Sequence, residues 1–323
     1  MSPERKKYFQ QAIKVALFIV LFWAIYAQIF ANQNLEEIRE EMQQSLRSTS
    51  LLWFLCAVIF VAFNWSLEAL KWQMLMRRIE QIGMFKSLQA ILAGLTLAVF
   101  TPNRIGEYGG RILFVTEGNR MKSIAVCVVG SLSQTVVTLV SGLIALPFFL
   151  SDFDPVSYVP NGVYMVVCLL LVAVALFLFF NLKLLYNLLR SISILRRYLK
   201  YVAVLRDYKR STLLKVLGFS TTRYVVFSLQ YWFLMNVFGL DLSFSIACTI
   251  IPIIFLVQTI VPSIAVAELG IRGNVALYLL TPFAENAIGI IAATFSLWLI
   301  NLIIPAVIGF FITLKTDFYT NKR

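Results

Sequence analysis

The chain has 323 residues, of which 60% are hydrophobic and 14% are charged, and it carries a formal net charge of +12. Its mean hydropathy is +0.82, and several apolar runs reach the roughly 20 residues that a helix needs to cross a bilayer, which excludes a soluble globular domain. Histidine is absent and the four cysteines are isolated in apolar segments, so the sequence excludes histidine-based acid–base chemistry and contains no cysteine metal or redox motif.

The lysines and arginines lie in short segments between apolar runs. This distribution is typical of the positive-inside rule and argues against nucleic acid as a partner. We therefore predict a multi-pass protein of a bacterial cytoplasmic (inner) membrane, with both termini in the cytoplasm.

The first two spans are predicted at residues 13–31 and 50–70, with an acidic segment between them on the outer side. Residues 71–86 are basic and partly apolar, which predicts a cytoplasmic segment in the membrane interface. Glu68 is close enough to Lys71 to form an ordinary interfacial ion pair.

A polar, helix-breaking island follows at residues 101–111, with the sequence Thr-Pro-Asn-Arg-Ile-Gly-Glu-Tyr-Gly-Gly-Arg. Pro102 has no amide hydrogen, so a helix that reaches residue 100 should stop or kink there. Residues 87–100 are too few for a full span, which predicts a re-entrant half-helix or the first half of a broken helix.

Four further spans and a second interrupted segment are predicted at residues 123–150, 162–180, 212–237, 243–280 and 287–314. Between residues 183 and 215 there are nine Lys and Arg residues and a single acid, Asp207. We expect this linker to be a cytoplasmic, amphipathic segment that contacts anionic lipid.

A second copy of the island motif lies in the later segment. Glu107-Tyr-Gly109-Gly-Arg111 matches Glu268-Leu-Gly270-Ile-Arg272 at an offset of 161 residues, and each copy follows a proline, Pro102 or Pro262. The same offset superposes the flanking apolar segments, but the two units enter the membrane from opposite sides. The pattern predicts inverted-topology repeats, the design of many alternating-access transporters.

The predicted fold is therefore an all-α polytopic membrane protein with six full spans and two re-entrant or broken helical hairpins, arranged as inverted repeats. An N-terminal helix and outside segment occupy residues 1–49, and a connecting helix and basic linker occupy residues 151–210. The first repeat covers residues 50–150 with its hairpin at 87–120, the second covers residues 211–314 with its hairpin at 243–280, and residues 315–323 form a tail.

The two motif pairs, Glu107 with Arg111 and Glu268 with Arg272, are spaced so that both members share one helix face. A charge at the bilayer centre costs about 2.5–3.5 kcal/mol, so these side chains should face protein or water. Two interpretations stay open: each pair neutralises itself and fastens its hairpin, or the pairs line a polar cavity and rearrange around a lipid headgroup.

Arg223 lies in the middle of a predicted span and is a candidate to hold a lipid phosphate. The alternative is a structural ion pair with Glu107, Glu268 or Glu68. Arg104 adds a charge to the first island. Thr101 and Ser263 occupy N-cap positions beside the prolines. The glycines at 106, 109, 110 and 270 allow close backbone approach, either for helix packing or for a ligand.

The two hairpin motifs resemble the signature loops of the flippase-like membrane domain of lysylphosphatidylglycerol synthetases, and the resemblance covers almost the whole chain. It implies movement of a lipid, often an aminoacylated or glycosylated one, between leaflets. Ala265-Val-Ala replaces the glycine-rich approach that the family has before the second glutamate. No aminoacyltransferase domain follows, so we expect a member without the catalytic half and not an enzyme.

The predicted function is a lipid flippase, in which Arg111, Arg223 and Arg272 engage a phosphate and Glu107 and Glu268 engage a cationic headgroup or protons. The predicted partners are an anionic phosphate headgroup and the bilayer, with no cofactor and no metal. Two alternatives remain: a non-catalytic partner of a glycosyltransferase or lipid-modifying enzyme, and a membrane enzyme acting on a lipid headgroup. A homo-oligomer is compatible with either.

Overall fold

The computed structural model describes residues 48–99, 101, 104–153, 161–191, 203–260, 265–284 and 286–315. Within these ranges the protein is helical and has no β-strand. The predicted span at residues 13–31, three of the predicted break residues and the tail beyond residue 315 lie outside the described residues. Those three are Pro102, Pro262 and Ser263, and the side chain of Glu268 is likewise outside the description.

The first half of the described chain consists of two long helices that flank a short helical hairpin. Helix α1 covers Ser48–Met76, α2 covers Met84–Ala98, α3 covers Gly106–Ile112 and α4 covers Arg120–Phe153. The 15 residues of α2 extend only about 22 Å at a rise of about 1.5 Å per residue. This length is shorter than the roughly 30 Å hydrocarbon core of a bilayer.

Helix α1 extends to Met76, beyond the end predicted at residue 70. Lys71 ends the apolar run but does not end the helix, because the helix still buries one face there. Trp72 is 1% exposed and Leu75 is fully buried. Residues 71–76 therefore belong to the helix bundle, and their position relative to the membrane interface stays a prediction.

The middle of the chain contains α5, Asn161–Phe180, and the short helix α6, Leu182–Ser191. Helix α5 packs against α4 and exposes a row of valines and leucines on its outer side. A 3₁₀ turn at Ala203–Asp207 leads to Tyr208, whose hydroxyl donates a hydrogen bond to the carbonyl of Leu75 at 3.0 Å. Burial raises the pKa of the Tyr208 phenol above its ordinary value.

The second half repeats the order of long helix, hairpin and long helix. Helix α7 covers Arg210–Val237, and the hairpin consists of α8, Phe244–Ile260, and α9, Ala265–Leu280. The last long helix is formed by α10, Ala287–Trp298, and α11, Ile304–Lys315, with a π-helical turn between them.

Four helices of the described chain are long and apolar enough to cross a membrane. They are Leu51–Met76, Glu117–Ser151, Gly162–Phe180 and Ala287–Lys315. Helix α7 has 28 residues, but it carries Arg223 together with buried Ser220 and Gln230 and is therefore less apolar.

The two ends of each hairpin lie at the same end of the molecule. Glu80 precedes the first hairpin and Thr116 follows it. The Glu80 carboxylate accepts hydrogen bonds from the Thr116 backbone amide at 3.1 Å and from the Thr116 hydroxyl at 2.8 Å. At the second hairpin, Asn286 Nδ2 donates to the carbonyl of Phe238 at 3.3 Å. Each hairpin therefore leaves the helix bundle where it entered it.

The two halves interlock through these hairpins. Helix α1 packs along α7, α2 packs against α11, and α8 packs against α4. A Cβ atom at Gly309 would collide with the carbonyl of Leu92, and one at Gly142 would lie 2.5 Å from Leu256 Cβ. Thus the last helix of each half is held close to the hairpin of the other half.

Candidate functional site

The break between α2 and α3 is held by a threonine and a left-handed arginine. The hydroxyl of Thr101 accepts a hydrogen bond from the Gly106 amide at 2.7 Å, so it satisfies the first amide of α3 from five residues upstream. Arg104 has a φ of 57°, a conformation that non-glycine residues seldom adopt. The N-cap position itself is Ile105, one helical turn later than predicted.

Close packing explains two of the four motif glycines that were predicted to permit backbone approach, Gly106 and Gly110. A Cβ at Gly106 would collide with the carbonyl of Leu97, whereas one at Gly109 would make an ordinary contact of 3.5 Å with a Leu97 methyl group. Gly110 is also tightly packed, since a Cβ there would collide with the carbonyl of Ala93. In the second hairpin, no described atom lies within 4 Å of a Cβ built at Gly270.

Glu68 lies at the centre of a buried ionic network that joins α1, α3 and α7. Its Oε1 is 3.0 Å from Arg111 Nη2, and its Oε2 is 2.8 Å from Lys71 Nζ and 2.9 Å from Arg223 Nη1. Arg111 also forms the predicted pair with Glu107. The Glu68 and Lys71 side chains are only 5% and 2% exposed. Because an unpaired charge at this depth is costly, the network is what allows these charges to be buried.

A backbone carbonyl and a serine hydroxyl complete the hydrogen bonding of Lys71. Its Nζ donates to the carbonyl of Gly130 at 3.2 Å and to Ser220 Oγ at 3.4 Å. Ser220 in turn shares a 2.7 Å hydrogen bond with Ser133. The ammonium of Lys71 is thus saturated by α1, α4 and α7 and acts as a structural cation.

Arg223 is held by two residues besides Glu68. Its Nε donates to Asn64 Oδ1 at 2.6 Å, and its guanidinium lies 5.2 Å from the centroid of the Trp65 ring. Asn64 Nδ2 donates to Asn301 Oδ1 at 2.8 Å. Asn301 lies in the π-helical turn, where Pro305 has no amide to donate to its carbonyl. The structural ion pair that we kept as the alternative for Arg223 is therefore present.

A polar cavity of about 540 Å³ lies over this network. Its charged lining consists of five cations and two carboxylates, a net charge of +3 over the described side chains: Lys71, Arg104, Arg111, Arg223, Arg272, Glu68 and Glu107. A second cavity of about 210 Å³ adjoins it and shares Arg104, Arg223 and Arg272 with it. The two cavities, taken together, favour an anion.

The structure brings most of the predicted site residues to this one place. Arg104, Glu107, Arg111, Arg223 and Arg272 all line the 540 Å³ cavity, and so does Thr101. They come from the first hairpin, α7 and α9, so both halves of the chain contribute. Their binding of substrate stays a prediction, and the position of the Glu268 side chain lies outside the description.

Sequence reasoning named Glu68 as one of three possible partners of Arg223 but did not identify it as the central residue of the site. Glu68 forms the predicted pair with Lys71, but the pair is buried and not interfacial. The available signal was the spacing of Asn64, Glu68 and Lys71, which places three polar side chains on one face of an apolar helix. Such a stripe in a membrane helix indicates a polar neighbour inside the bundle.

Among the described residues, no group of three or more Cys, Asp or Glu side chains is placed to hold a metal ion. A comparison with curated proteins found no match. The family described as the lysylphosphatidylglycerol synthase TM region matches residues 11–309, which is most of the chain. Membership of this family suggests a lipid-related role in a membrane. On this match, the chain belongs to the family of lysylphosphatidylglycerol synthase transmembrane regions.

Proposed function

We propose that this protein moves a phospholipid or a lipid-linked headgroup between the leaflets of a bacterial cytoplasmic membrane through the polar cavity. The observation that carries the proposal is a net cationic cavity of about 540 Å³ surrounded by membrane helices and lined by both halves of the chain. An arginine fork binds phosphate oxygens in a bidentate manner, and burial strengthens that interaction.

An apolar groove beside the cavity supports a lipid as the substrate. The groove has a volume of about 440 Å³ and is lined mainly by carbon, including the exposed side chains of Ile144, Phe148, Val225 and Phe244. Tyr224 lines both this groove and the 210 Å³ cavity. A molecule with a charged headgroup and acyl chains matches this pair of sites better than a water-soluble anion does.

The proposed membrane layout has six full spans and two re-entrant hairpins, with both termini in the cytoplasm. The short α2 and the hydrogen bonds that join the two ends of each hairpin support re-entry. The exchange of partners between halves, α2 with α11 and α8 with α4, supports a two-fold relation between inverted repeats. Rocking of one repeat against the other would open the cavity alternately to each leaflet.

In this mechanism the substrate phosphate replaces protein carboxylates as the partner of the arginines. Arg111 and Arg223 now bind Glu68, and Arg111 also binds Glu107. An incoming phosphate takes up part of the guanidinium hydrogen bonding, and Arg104 and Arg272 line the same cavity. When the lipid leaves, the carboxylates re-form the network, so Arg111 and Arg223 stay paired in the empty cavity.

The proposal is tested with purified full-length protein in liposomes that contain a trace of acyl-labelled phosphatidylglycerol. The fraction of label accessible to a membrane-impermeant quencher is followed over time, with and without an imposed membrane potential. We expect Arg272→Ala and Arg104→Ala to slow the protein-dependent movement at least about tenfold, because each removes a phosphate donor. Lys215→Ala removes an exposed cation from α7 and should leave the rate unchanged.

Movement no faster than in protein-free vesicles, with all variants folded by size-exclusion chromatography, would overturn the proposal. Mass spectrometry of the same lipids then separates the alternatives. A changed headgroup favours a membrane enzyme. An unchanged headgroup without movement favours a partner of another membrane enzyme.

A further inference from the structure

A second apolar groove lies on the surface of the bundle, where α5 ends and α7 begins. This surface groove has a volume of about 530 Å³ and is lined mainly by carbon. Among the described residues, its lining shares no member with the polar cavities or with the 440 Å³ groove. Helix α5 packs against α4 and α7 packs along α1, and the surface groove lies between α5 and α7. It is therefore separate from the proposed transport path.

The surface groove changes from apolar to polar along its length. Ala173 and Phe177 on α5 and Asn181 just after it recur every four residues and extend over about 12 Å. On α7, Arg210 is the first residue, Ser211 follows, and Leu214 lies about one turn further into the helix. Polar groups thus lie at the end where α5 leaves its apolar span, and carbon lies deeper. A phospholipid, with a polar headgroup and apolar chains, has the same order.

Positive charge surrounds the polar end of the surface groove. Six exposed cations and one exposed acid, Asp207, occur in the described residues 181–191 and 203–215, the cations being Lys183, Arg190, Arg206, Lys209, Arg210 and Lys215. Arg206 lies 4.8 Å from the centroid of the Tyr186 ring. Arg210, in contrast, pairs with none of the described side chains, so its guanidinium is available to a ligand. A cationic surface attracts anionic lipid headgroups, and a guanidinium holds a phosphate through directed hydrogen bonds.

From this arrangement we propose that the surface groove binds one anionic phospholipid, with its phosphate on Arg210 and Ser211 and an acyl chain along Phe177 and Leu214. The side chains of Phe177 and Leu214 are 60% and 62% exposed, which leaves their carbon available to the chain. The bound lipid fills the space between α5 and α7. This binding does not depend on lipid movement through the polar cavity, so it can be tested without the proposed function.

A photo-crosslinker in the surface groove identifies the lipid that occupies it. The full-length protein carries p-benzoylphenylalanine in place of Phe177 and is reconstituted in phosphatidylcholine vesicles with a minor fraction of phosphatidylglycerol. After irradiation, mass spectrometry gives the ratio of the two lipids attached to the protein. We expect this ratio to favour phosphatidylglycerol about fivefold over the vesicle ratio, which is the effect of one cation near an anionic lipid surface. The same probe in place of Val166, which is exposed but lies about 16 Å away along α5, should give the vesicle ratio.

Two arginine substitutions separate a defined site from diffuse attraction. Arg210→Gln should return the ratio at position 177 to the vesicle ratio, because it removes the phosphate donor. Arg77→Gln is the matched control and should leave the ratio unchanged. Arg77 is also exposed but does not line the surface groove. It lies at the same end of the bundle, since Leu75, two residues earlier, accepts the hydrogen bond from Tyr208.

The vesicle ratio at position 177 in the otherwise unchanged protein would overturn the proposal. An equal loss of enrichment in Arg77→Gln and Arg210→Gln would show that the whole cationic surface attracts the lipid, and would overturn its assignment to the groove. If millimolar inorganic phosphate removes the enrichment and potassium chloride of equal ionic strength does not, the groove recognises free phosphate and the lipid assignment is wrong.

Discussion

Glu68 shows how one carboxylate allows three cations to be buried in a membrane protein. Lys71, Arg111 and Arg223 all lie within 3.0 Å of it. Removal of one cation leaves the carboxylate with two partners, whereas removal of the carboxylate leaves several buried cations without their common partner. The anion is therefore the member on which folding depends most.

We predict that Glu68→Gln destabilises the protein by roughly 3–5 kcal/mol, the cost of breaking a buried pair from one side. The measurement is thermal unfolding of the purified protein in detergent micelles. Glu117→Gln is the control, because Glu117 is 53% exposed and lies 3.9 Å from Arg120. Such an exposed pair contributes about 0–1 kcal/mol. Equal midpoints for the two variants would show that Glu68 is not the centre of the network.

Arg223→Lys tests whether Arg223 only forms the ion pair with Glu68 or also binds a lipid phosphate. Lysine keeps the charge beside Glu68 but loses the planar fork and the 2.6 Å hydrogen bond to Asn64. We expect a loss of about 1 kcal/mol in stability and a fall of about tenfold in lipid movement.

The matching control is Lys215→Arg on the exposed side of the same helix. If Arg223→Lys transports lipid at the wild-type rate, Arg223 only neutralises Glu68. The choice between phosphate binding and a structural ion pair, which the sequence left open for Arg223, would then be settled for the ion pair.

The residues of the site were predictable where a charged side chain interrupts an apolar segment of the sequence. Arg223 in the middle of a span and the repeated Glu-x-Gly-x-Arg motif identified most of the charged residues that line the cavity. The sequence offered three possible partners for Arg223, among them Glu68, but it could not decide between them, because Arg223 and Glu68 are 155 positions apart. No local pattern specifies which distant carboxylate an arginine will meet.

At the scale of elements, the first hairpin depends on glycines that allow two backbones to touch. Gly94 on α2 faces Glu107 on α3, where an added Cβ would lie 2.8 Å from the Glu107 carbonyl oxygen. Gly110 presses against the same turn of α2. This contact places the charged face of α3 toward α1 and the cavity.

Gly110→Ala should therefore destabilise the protein by about 1–3 kcal/mol, as overpacking does in other cores. Gly218→Ala is the control, since it lies within α7 with no described atom within 4 Å of its added Cβ. There alanine should stabilise the helix by about 0.5–1 kcal/mol. Thermal unfolding measures both, and the same sign of shift in the two variants would contradict the packing argument.

Helix positions followed from the lengths of the apolar runs, with ends that differ from prediction in physically understandable ways. Helix α1 continues for six residues past the predicted end because Trp72 and Leu75 remain in the core. Helix α4 starts at Arg120, three residues before the predicted start at 123. Hydropathy detects where an apolar run ends, whereas a helix ends where its hydrogen bonding and packing end.

At the scale of the whole molecule, the proposed membrane layout predicts which loops lie on the same side of the membrane. Single cysteines are introduced at Gly83, Gly118, Ser243 and Thr281 in a variant whose four native cysteines are replaced by serine. A membrane-impermeant maleimide added to intact spheroplasts should label Ser243→Cys and Thr281→Cys. Gly83→Cys and Gly118→Cys should react only after permeabilisation, because the first hairpin returns to the side from which it entered.

Opposite labelling of the two members of either pair would show that the hairpin between them crosses the membrane completely. Retention of lipid movement in the cysteine-free parent is the control for correct folding. The same labels also test the orientation that was predicted from the distribution of lysine and arginine.

The hydrogen bonds at the hairpin bases limit how the molecule can move. Glu80 fastens the base of the first hairpin to Thr116, and Asn286 fastens the base of the second to Phe238 at the far end of the bundle. A segment fixed at its base swings about that base, so displacement grows toward its tip. Arg104 lies at the first tip. Spin labels placed there should therefore report the widest spread of distances, while labels at the bases remain nearly stationary.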